Sequence, residues 1–246
     1  MTQIATINTG NYAAMAEAMG MSVDSGKQKS QASTLARLRI NHSAIMGEDT
    51  INGKKVKMEV VAGGTYKLEI PDGPTYYAPT ATIRPYLQRF MYKRFIKGSD
   101  TTPNRYVKTL MANDLNSDLK DNDGGFNCGK PAGWIEDFKA LPEKTQDLIR
   151  QIKRVRVMFG TVEMHDVTDA QGNPVDLEPQ AFIWEIENRD AFKTAGTIFT
   201  KLSKMRRLPV QHNMKAATEE RALPNGSVFY LPTLALDLQE TLDVTD

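Results

Sequence analysis

Between residues 35 and 78 the chain is cut at short intervals by turn-forming residues: Asn52-Gly53, Gly63-Gly64 and the cluster Pro71-Asp72-Gly73-Pro74. Asn-Gly and Gly-Gly supply the positive φ that tight hairpin turns demand, and Pro presets φ at the first turn position. The runs left between them (35–40, 54–61, 65–70 and 75–78) are short, with β-branched or alternating apolar residues. Strands this short, joined this tightly, pair antiparallel. The region is expected to be an antiparallel sheet or a small barrel.

Downstream, residues 153–164 (KRVRVMFGTVEM) alternate as a strand, with Val155, Val157 and Phe159 opposite Arg154, Arg156 and Met158. Residues 182–187 (FIWEIE) form another strand, with turn chemistry in Asp169-Ala-Gln-Gly-Asn-Pro174 between the two. A strand is expected around 210–217, then a Pro224-Asn225-Gly226 turn and a strand at 227–232. Helices are expected at 143–152, led by Leu141-Pro142, and at 191–208, where Phe192, Ala195, Phe199, Leu202 and Met205 recur at helical spacing. A short Ala/Met-rich helix at 11–21 and a Gly/Ser/Lys/Gln-rich linker at 22–34 precede the first strand, and 114–133 reads as a long loop. The expected class is mainly β with inserted helices (α+β). Its domains would be an N-terminal helix and linker over 1–34, a β domain over 35–232 and an acidic tail over 233–246, read as an amphipathic helix with Leu234, Leu238 and Leu242 along one side.

Of 246 residues, 40% are hydrophobic and 25% charged, which describes an ordinary globular chain. The single Cys128 excludes an intramolecular disulfide framework. No apolar run approaches the ~18 residues of a membrane span, and no signal peptide is recognisable. The expectation is a protein of the cytoplasm, the host's if the protein is viral, with no membrane partner. The net charge of +1 hides segregation. From 27 to 57 seven basic residues (Lys27, Lys29, Arg37, Arg39, Lys54, Lys55, Lys57) face two acidic ones, and from 84 to 108 seven more (Arg84, Arg89, Lys93, Arg94, Lys97, Arg105, Lys108) face Asp100 alone. Acidic blocks at Asp114, Asp118, Asp121 and Asp123 and at Asp237, Glu240, Asp243 and Asp246 balance them. Segregated charge of this kind points to a polyanion-binding face.

Enzyme signatures fail one by one. Gly124–Lys130 (GGFNCGK) matches the spacing of a phosphate-binding loop, but Pro131 stands where the Mg²⁺-binding Ser/Thr belongs and no apolar strand leads into it. Asp114-x-Asn116-x-Asp118 opens like a calcium loop, yet Leu119 replaces the turn Gly and Gly125 the bidentate Glu. Cys128, His42, His165 and His212 are too scattered for a zinc site, and Cys128 has no neighbouring base to make it a nucleophile. Glu185 and Glu187 share one strand face, as a metal site or a solvated face would place them. No catalysis, metal or cofactor is expected.

The informative run is Arg84-Pro-Tyr86-Leu-Gln-Arg89-Phe90-Met-Tyr92-Lys93-Arg94-Phe95, continued by Arg105, Tyr106 and Lys108. A single strand of nucleic acid is held by cations along its phosphates and by aromatic rings that stack on its bases, each ring contributing ~1–3 kcal/mol. This run interleaves both groups. Arg37, Arg39, Lys54, Lys55 and Lys57 are candidate phosphate contacts from the first basic block. The competing expectation is that some of the rings are core, flanked by solubilising charge.

The succession KRVRVMFGTVEM, FIWEIENRDAFKTAGTIFTKL, a Pro209-led strand and NGSVFYLP resembles single-stranded DNA-binding proteins of tailed bacteriophages, over about residues 35–232. The resemblance implies an OB-fold, a small Greek-key antiparallel β-barrel, with Trp184 in the barrel core and the following helix packed on it. It implies sequence-independent coating of single-stranded DNA during phage replication or recombination, with replication or recombination proteins as partners of the acidic C-terminus. That C-terminus lacks the family's usual terminal aromatic residue. Related proteins can carry a Cys-rich zinc insertion; here Asn127-Cys128-Gly129 keeps one Cys, so no metal is implied. A homo-oligomer is compatible with all of this. The alternative expectation is a viral structural or assembly protein whose basic β-domain binds a protein partner or duplex DNA.

Overall fold

The computed structural model describes residues 6–7, 35–51, 54–115 and 135–244. The expected helix at 11–21, the linker at 22–34, the Asn52-Gly53 turn, the phosphate-loop lookalike and Cys128 lie outside the described residues, as does nearly all of the 114–133 loop. The strands are β1 (Thr6–Ile7), β2 (Ala36–Ile40), β3 (Ile45–Ile51), β4 (Lys54–Val61), β5 (Tyr66–Glu69), β6 (Thr75–Ala78), β7 (Thr80–Ile96), β8 (Arg105–Lys108), β9 (Lys153–His165), β10 (Gln180–Ile186), β11 (His212–Ala222), β12 (Val228–Thr241) and β13 (Asp243–Val244). Among the described residues two α-helices interrupt them, α1 (Glu143–Arg150) and α2 (Arg189–Lys204). The chain is mainly β. A nine-stranded sheet runs in the order β12-β11-β7-β9-β10-β2-β5-β6, with β8 added to β7. The sheet is mixed, because β10 joins β2 parallel while β2–β5, β5–β6, β7–β8 and β11–β12 are antiparallel. It is open, its path ending at β12 and β6.

The turns form where their chemistry predicts. Asp72 adopts φ 52° in the Pro-Asp-Gly-Pro cluster, and Gly73 N–H donates to the Ile70 carbonyl at 3.1 Å. Between β9 and β10 the Asp169 carboxylate accepts the N–H groups of Gln171 (2.8 Å) and Asn173 (2.9 Å), with Gly172 at φ 84°. Helix α2 starts two residues before the expected position because Asn188 Oδ1 accepts the N–H groups of Asp190 and Ala191 at 2.9 and 3.2 Å. It stops at Lys204 because Arg206 turns left-handed at φ 55° and Arg207 N–H closes back on the Leu202 carbonyl.

Two expectations change. The described part of the tail, residues 233–244, is not helical: β12 continues through Thr241, with Leu234 opposite Ala216 and Leu236 opposite Met214. Leu234, Leu236 and Leu238 alternate at strand period, and that pattern outweighs the four-residue spacing of Leu234, Leu238 and Leu242 once β11 offers a partner. The alternation of β9 is also overridden. Every residue from Val155 to Gly160 is buried, both parities included, because the strand is interior to the sheet.

The chain divides into two compact units. Unit 1 comprises Met1–Leu87, Phe159–Trp184 and Lys193–Asp246; unit 2 comprises Gln88–Met158 and Glu185–Phe192. In unit 1 Trp184 is buried, as expected, and meets Tyr66 edge-on with ring centroids 5.9 Å apart. Burial pushes the Tyr66 phenol pKa well above its usual value, and the hydroxyl donates to the Ala217 carbonyl at 2.9 Å. Pro85 cannot donate a ladder hydrogen bond in the interior strand β7. Nearby, Gly160 has no side chain to meet the Arg84 carbonyl, which would lie 2.0 Å from a Cβ there. In unit 2 the core gathers Tyr92, Leu115, Ile149 and Ile152, with Phe90, Val107, Phe138 and Phe192 packed around them.

Candidate nucleic-acid interface

The second half of β7 and β8 form an antiparallel hairpin in unit 2, in the register Lys93–Lys108, Arg94–Val107, Phe95–Tyr106 and Ile96–Arg105. Side chains alternate across it, so the two parities of the aromatic and basic run go to opposite faces. The face that carries Phe90, Tyr92 and Arg94 of β7 is core. Tyr92 has no exposed surface, and its hydroxyl donates to the Leu115 carbonyl at 2.7 Å. Phe90 packs on Phe192, centroids 6.2 Å apart, and the Arg156 guanidinium lies 4.8 Å from the Phe90 ring and 4.6 Å from the Phe192 ring. Arg94 is buried. Tyr92 and Arg94 therefore have no surface to offer a ligand.

The face that carries Lys93 and Phe95 of β7, and opposite them Lys108 and Tyr106 of β8, differs. Phe95 is 41% exposed and Tyr106 54%, and their rings meet across the hairpin with centroids 5.2 Å apart at 55°. Beside them the Lys93 ammonium lies 4.4 Å from the Tyr106 ring centroid. It donates to Glu187, and to Glu185 at 3.3 Å, while Lys108 donates to the other Glu185 oxygen at 2.5 Å. Burial works to lower the Lys93 pKa, but its hydrogen bond to Glu187 and the charges of both glutamates outweigh this and raise it. Burial likewise works to raise the Glu185 pKa, yet the Lys108 hydrogen bond and the two lysine charges bring it below the usual carboxylate range. Two ammonium groups and two carboxylates thus neutralise one another under an exposed aromatic pair. Lys93 and Lys108, expected to meet phosphates, are engaged by carboxylates instead.

The other candidates fall as follows. Arg105 is exposed at the end of the hairpin, and so is Lys97 just beyond β7. Arg89 is half-buried, with Nη1 donating to the Gln88 carbonyl. In unit 1 Arg84 donates to the Val210 carbonyl at 2.9 Å, which makes it a structural tie; Tyr86 is half-buried. Arg37 and Arg39 point outward from β2, alternating with buried Ala36 and Leu38, and Arg39 pairs with Glu69 at 3.5 Å. Lys54, Lys55 and Lys57 are exposed on β4, where Lys55 pairs with Glu48 at 3.3 Å. Sequence reasoning missed Glu185 and Glu187 as counter-ions, although their shared strand face was legible. It also missed Arg154 and Arg156, which lie against the Phe192 ring at 5.3 and 4.6 Å.

Among the described residues no group of His, Cys, Asp and Glu is placed to hold a metal ion. No helix among them is long and apolar enough to cross a membrane. No protein-family model, curated protein or solved structure matches this chain.

Proposed function

We propose that this chain is a non-catalytic, sequence-independent single-stranded DNA-binding protein that coats strands exposed during phage replication or recombination. The observation that carries the proposal is the exposed Phe95–Tyr106 pair, with two exposed cations at the same end of the hairpin, Lys97 two residues beyond Phe95 and Arg105 next to Tyr106 in the chain. Two rings in the open offer π-faces to bases of any identity, and adjacent cations favour a phosphate backbone. The neutralised cluster beneath the rings stiffens them without adding net charge. Arg37, Arg39, Lys54 and Lys57 give unit 1 further exposed cations. An OB-type core belongs to the same proposal, supported by the antiparallel β2–β5–β6 and β11–β12 pairings.

The deciding experiment is a fluorescence-anisotropy titration with labelled poly(dT) and with a duplex of equal length, over a series of salt concentrations. The proposal expects tighter binding to poly(dT) and a log–log salt slope set by the number of phosphates contacted, about −0.7 for each. Equal or tighter duplex binding moves the assignment to the second reading, a structural or assembly protein. That reading is favoured by one observation, the exposure of Met46, Val56 and Met58 on the β3–β4 ribbon.

A further inference from the structure

A two-stranded ribbon is marginal by itself in water, and a free strand edge is a template for another strand. The β3–β4 ribbon of unit 1 combines both conditions. Among the described residues β4 pairs with no strand but β3, and every residue from Lys54 to Glu59 is exposed. Val56 and Met58 lie on one face, and Lys55, Lys57 and Glu59 on the other. At Val60 the ribbon is no longer open: Gly172 lies against it, and a Cβ there would come 2.7 Å from the Val60 carbonyl.

We propose that a second copy of this chain adds its own β4 to this edge, antiparallel, with the two-fold axis at Lys57. Parity and charge set the register. Antiparallel pairing puts residues of like parity opposite one another, so a two-fold axis must fall on a residue. An axis at Val56 sets Lys55 against the second copy's Lys57 and the reverse, two repulsive contacts. An axis at Met58 engages only 57–59 within the open run. An axis at Lys57 engages all of 55–59. Lys55 of each copy then meets Glu59 of the other, and on the opposite face Val56 of each copy meets Met58 of the other. The single like-charge contact is Lys57 with its own copy; Glu48, across each ribbon from Lys57, has its carboxylate on Lys55 at 3.3 Å, so Lys55 is shared between Glu48 of its own copy and Glu59 of the other. The same short strand thus carries both halves of a complementary surface, which is why the occupant is another copy of this chain. An interface of one ribbon edge is smaller than the ~1,200 Å² of a standard complex, so the dimer is weak and concentration-dependent.

The test is analytical ultracentrifugation of the full chain without nucleic acid, so its outcome is independent of the DNA-binding proposal. The wild type is expected to pass from monomer to dimer as concentration rises. Glu59→Lys turns two attractive contacts repulsive and raises the dissociation constant about tenfold or more. Swapping the charges in the Lys55→Glu/Glu59→Lys double variant restores dimerisation, and Lys57→Thr, which deletes the like-charge contact, tightens it. Thermal melts check the fold; if Glu59→Lys is unfolded, the swap and Lys57→Thr decide. A wild type that stays monomeric throughout, or a dimer indifferent to these substitutions, overturns the proposal.

Discussion

The ammonium of Lys93 lies 4.4 Å from the centre of the Tyr106 ring and is held there by two carboxylates, Glu185 and Glu187. An aromatic ring fixed on an anchored cation loses little freedom when a base stacks on its outer side. Under the proposed function, that rigidity would come from Lys93, Glu185 and Glu187 rather than from contacts with DNA.

Replacing Phe95 or Tyr106 with Ala is expected to weaken poly(dT) binding by ~1–3 kcal/mol while leaving the salt slope unchanged. Replacing Tyr92 with Ala is expected to cost ~3–5 kcal/mol of folding stability instead, since that ring is core. Anisotropy titrations and urea melts on the three variants separate the two effects. Wild-type affinity in both exposed-ring variants removes stacking from the mechanism.

Charge removal should divide the lysines and arginines by partner. Arg105→Ala and Lys97→Ala are each expected to reduce the magnitude of the salt slope by up to about 0.7, one phosphate contact on a single strand. Lys93→Met and Lys108→Met remove charges already matched by Glu185 and Glu187, so their slopes are expected to stay at the wild-type value while the melts shift downward. A slope change for Lys93→Met equal to that for Arg105→Ala would place Lys93 on phosphate after all.

The same cluster gives unit 2 a pH window. The Glu185 pKa is depressed in the folded state, so its contribution is present above the ordinary carboxylate value of about 4.3 and is lost as pH falls through the depressed one. The Lys93 pKa is raised, so its contribution is present below the ordinary lysine value and is lost only as pH rises through the raised one. Urea midpoints measured from neutral pH into acid should fall more steeply for wild type than for Glu185→Gln. Parallel curves would show that the carboxylate is not coupled to folding.

Gly160→Ala introduces a Cβ 2.0 Å from the Arg84 carbonyl oxygen, a backbone atom with no room to move aside. The expected cost is at least ~1–3 kcal/mol, as for overpacked interiors, read as a lowered urea midpoint. Undiminished stability would mean that the two strands separate there without penalty.

Deleting residues 237–246 removes the last part of β12, the buried Leu242 and the Lys215–Asp237 ion pair at 3.1 Å. The truncated chain is expected to melt well below the full chain. Had the segment been a loose acidic tail competing with DNA, the melt would stay put and low-salt affinity for poly(dT) would rise. Melting and titration on one sample distinguish these results.

What the amino-acid sequence determined by itself is local. The Asp72-Gly73, Asp169–Asn173 and Asn225-Gly226 turns, the boundaries of β4 and β6, and the start of α1 at Glu143 follow from φ preferences and spacing that act within a few residues. The run from Arg84 to Lys108 was legible as aromatic and basic, but not which ring faces which way. Tyr92 and Tyr106 are chemically alike; one is core and the other exposed because Leu115 and the Ile149–Ile152 segment pack on the face of the β7–β8 hairpin that carries Tyr92, and Tyr106 lies on the other face. Lys93 reads as a free cation until Glu185 and Glu187, more than ninety residues away, arrive on the neighbouring surface. The parity of an isolated strand has no preferred side, and an ion pair between distant segments leaves no mark on either. Only the tertiary structure, which settles what covers each face, decided those.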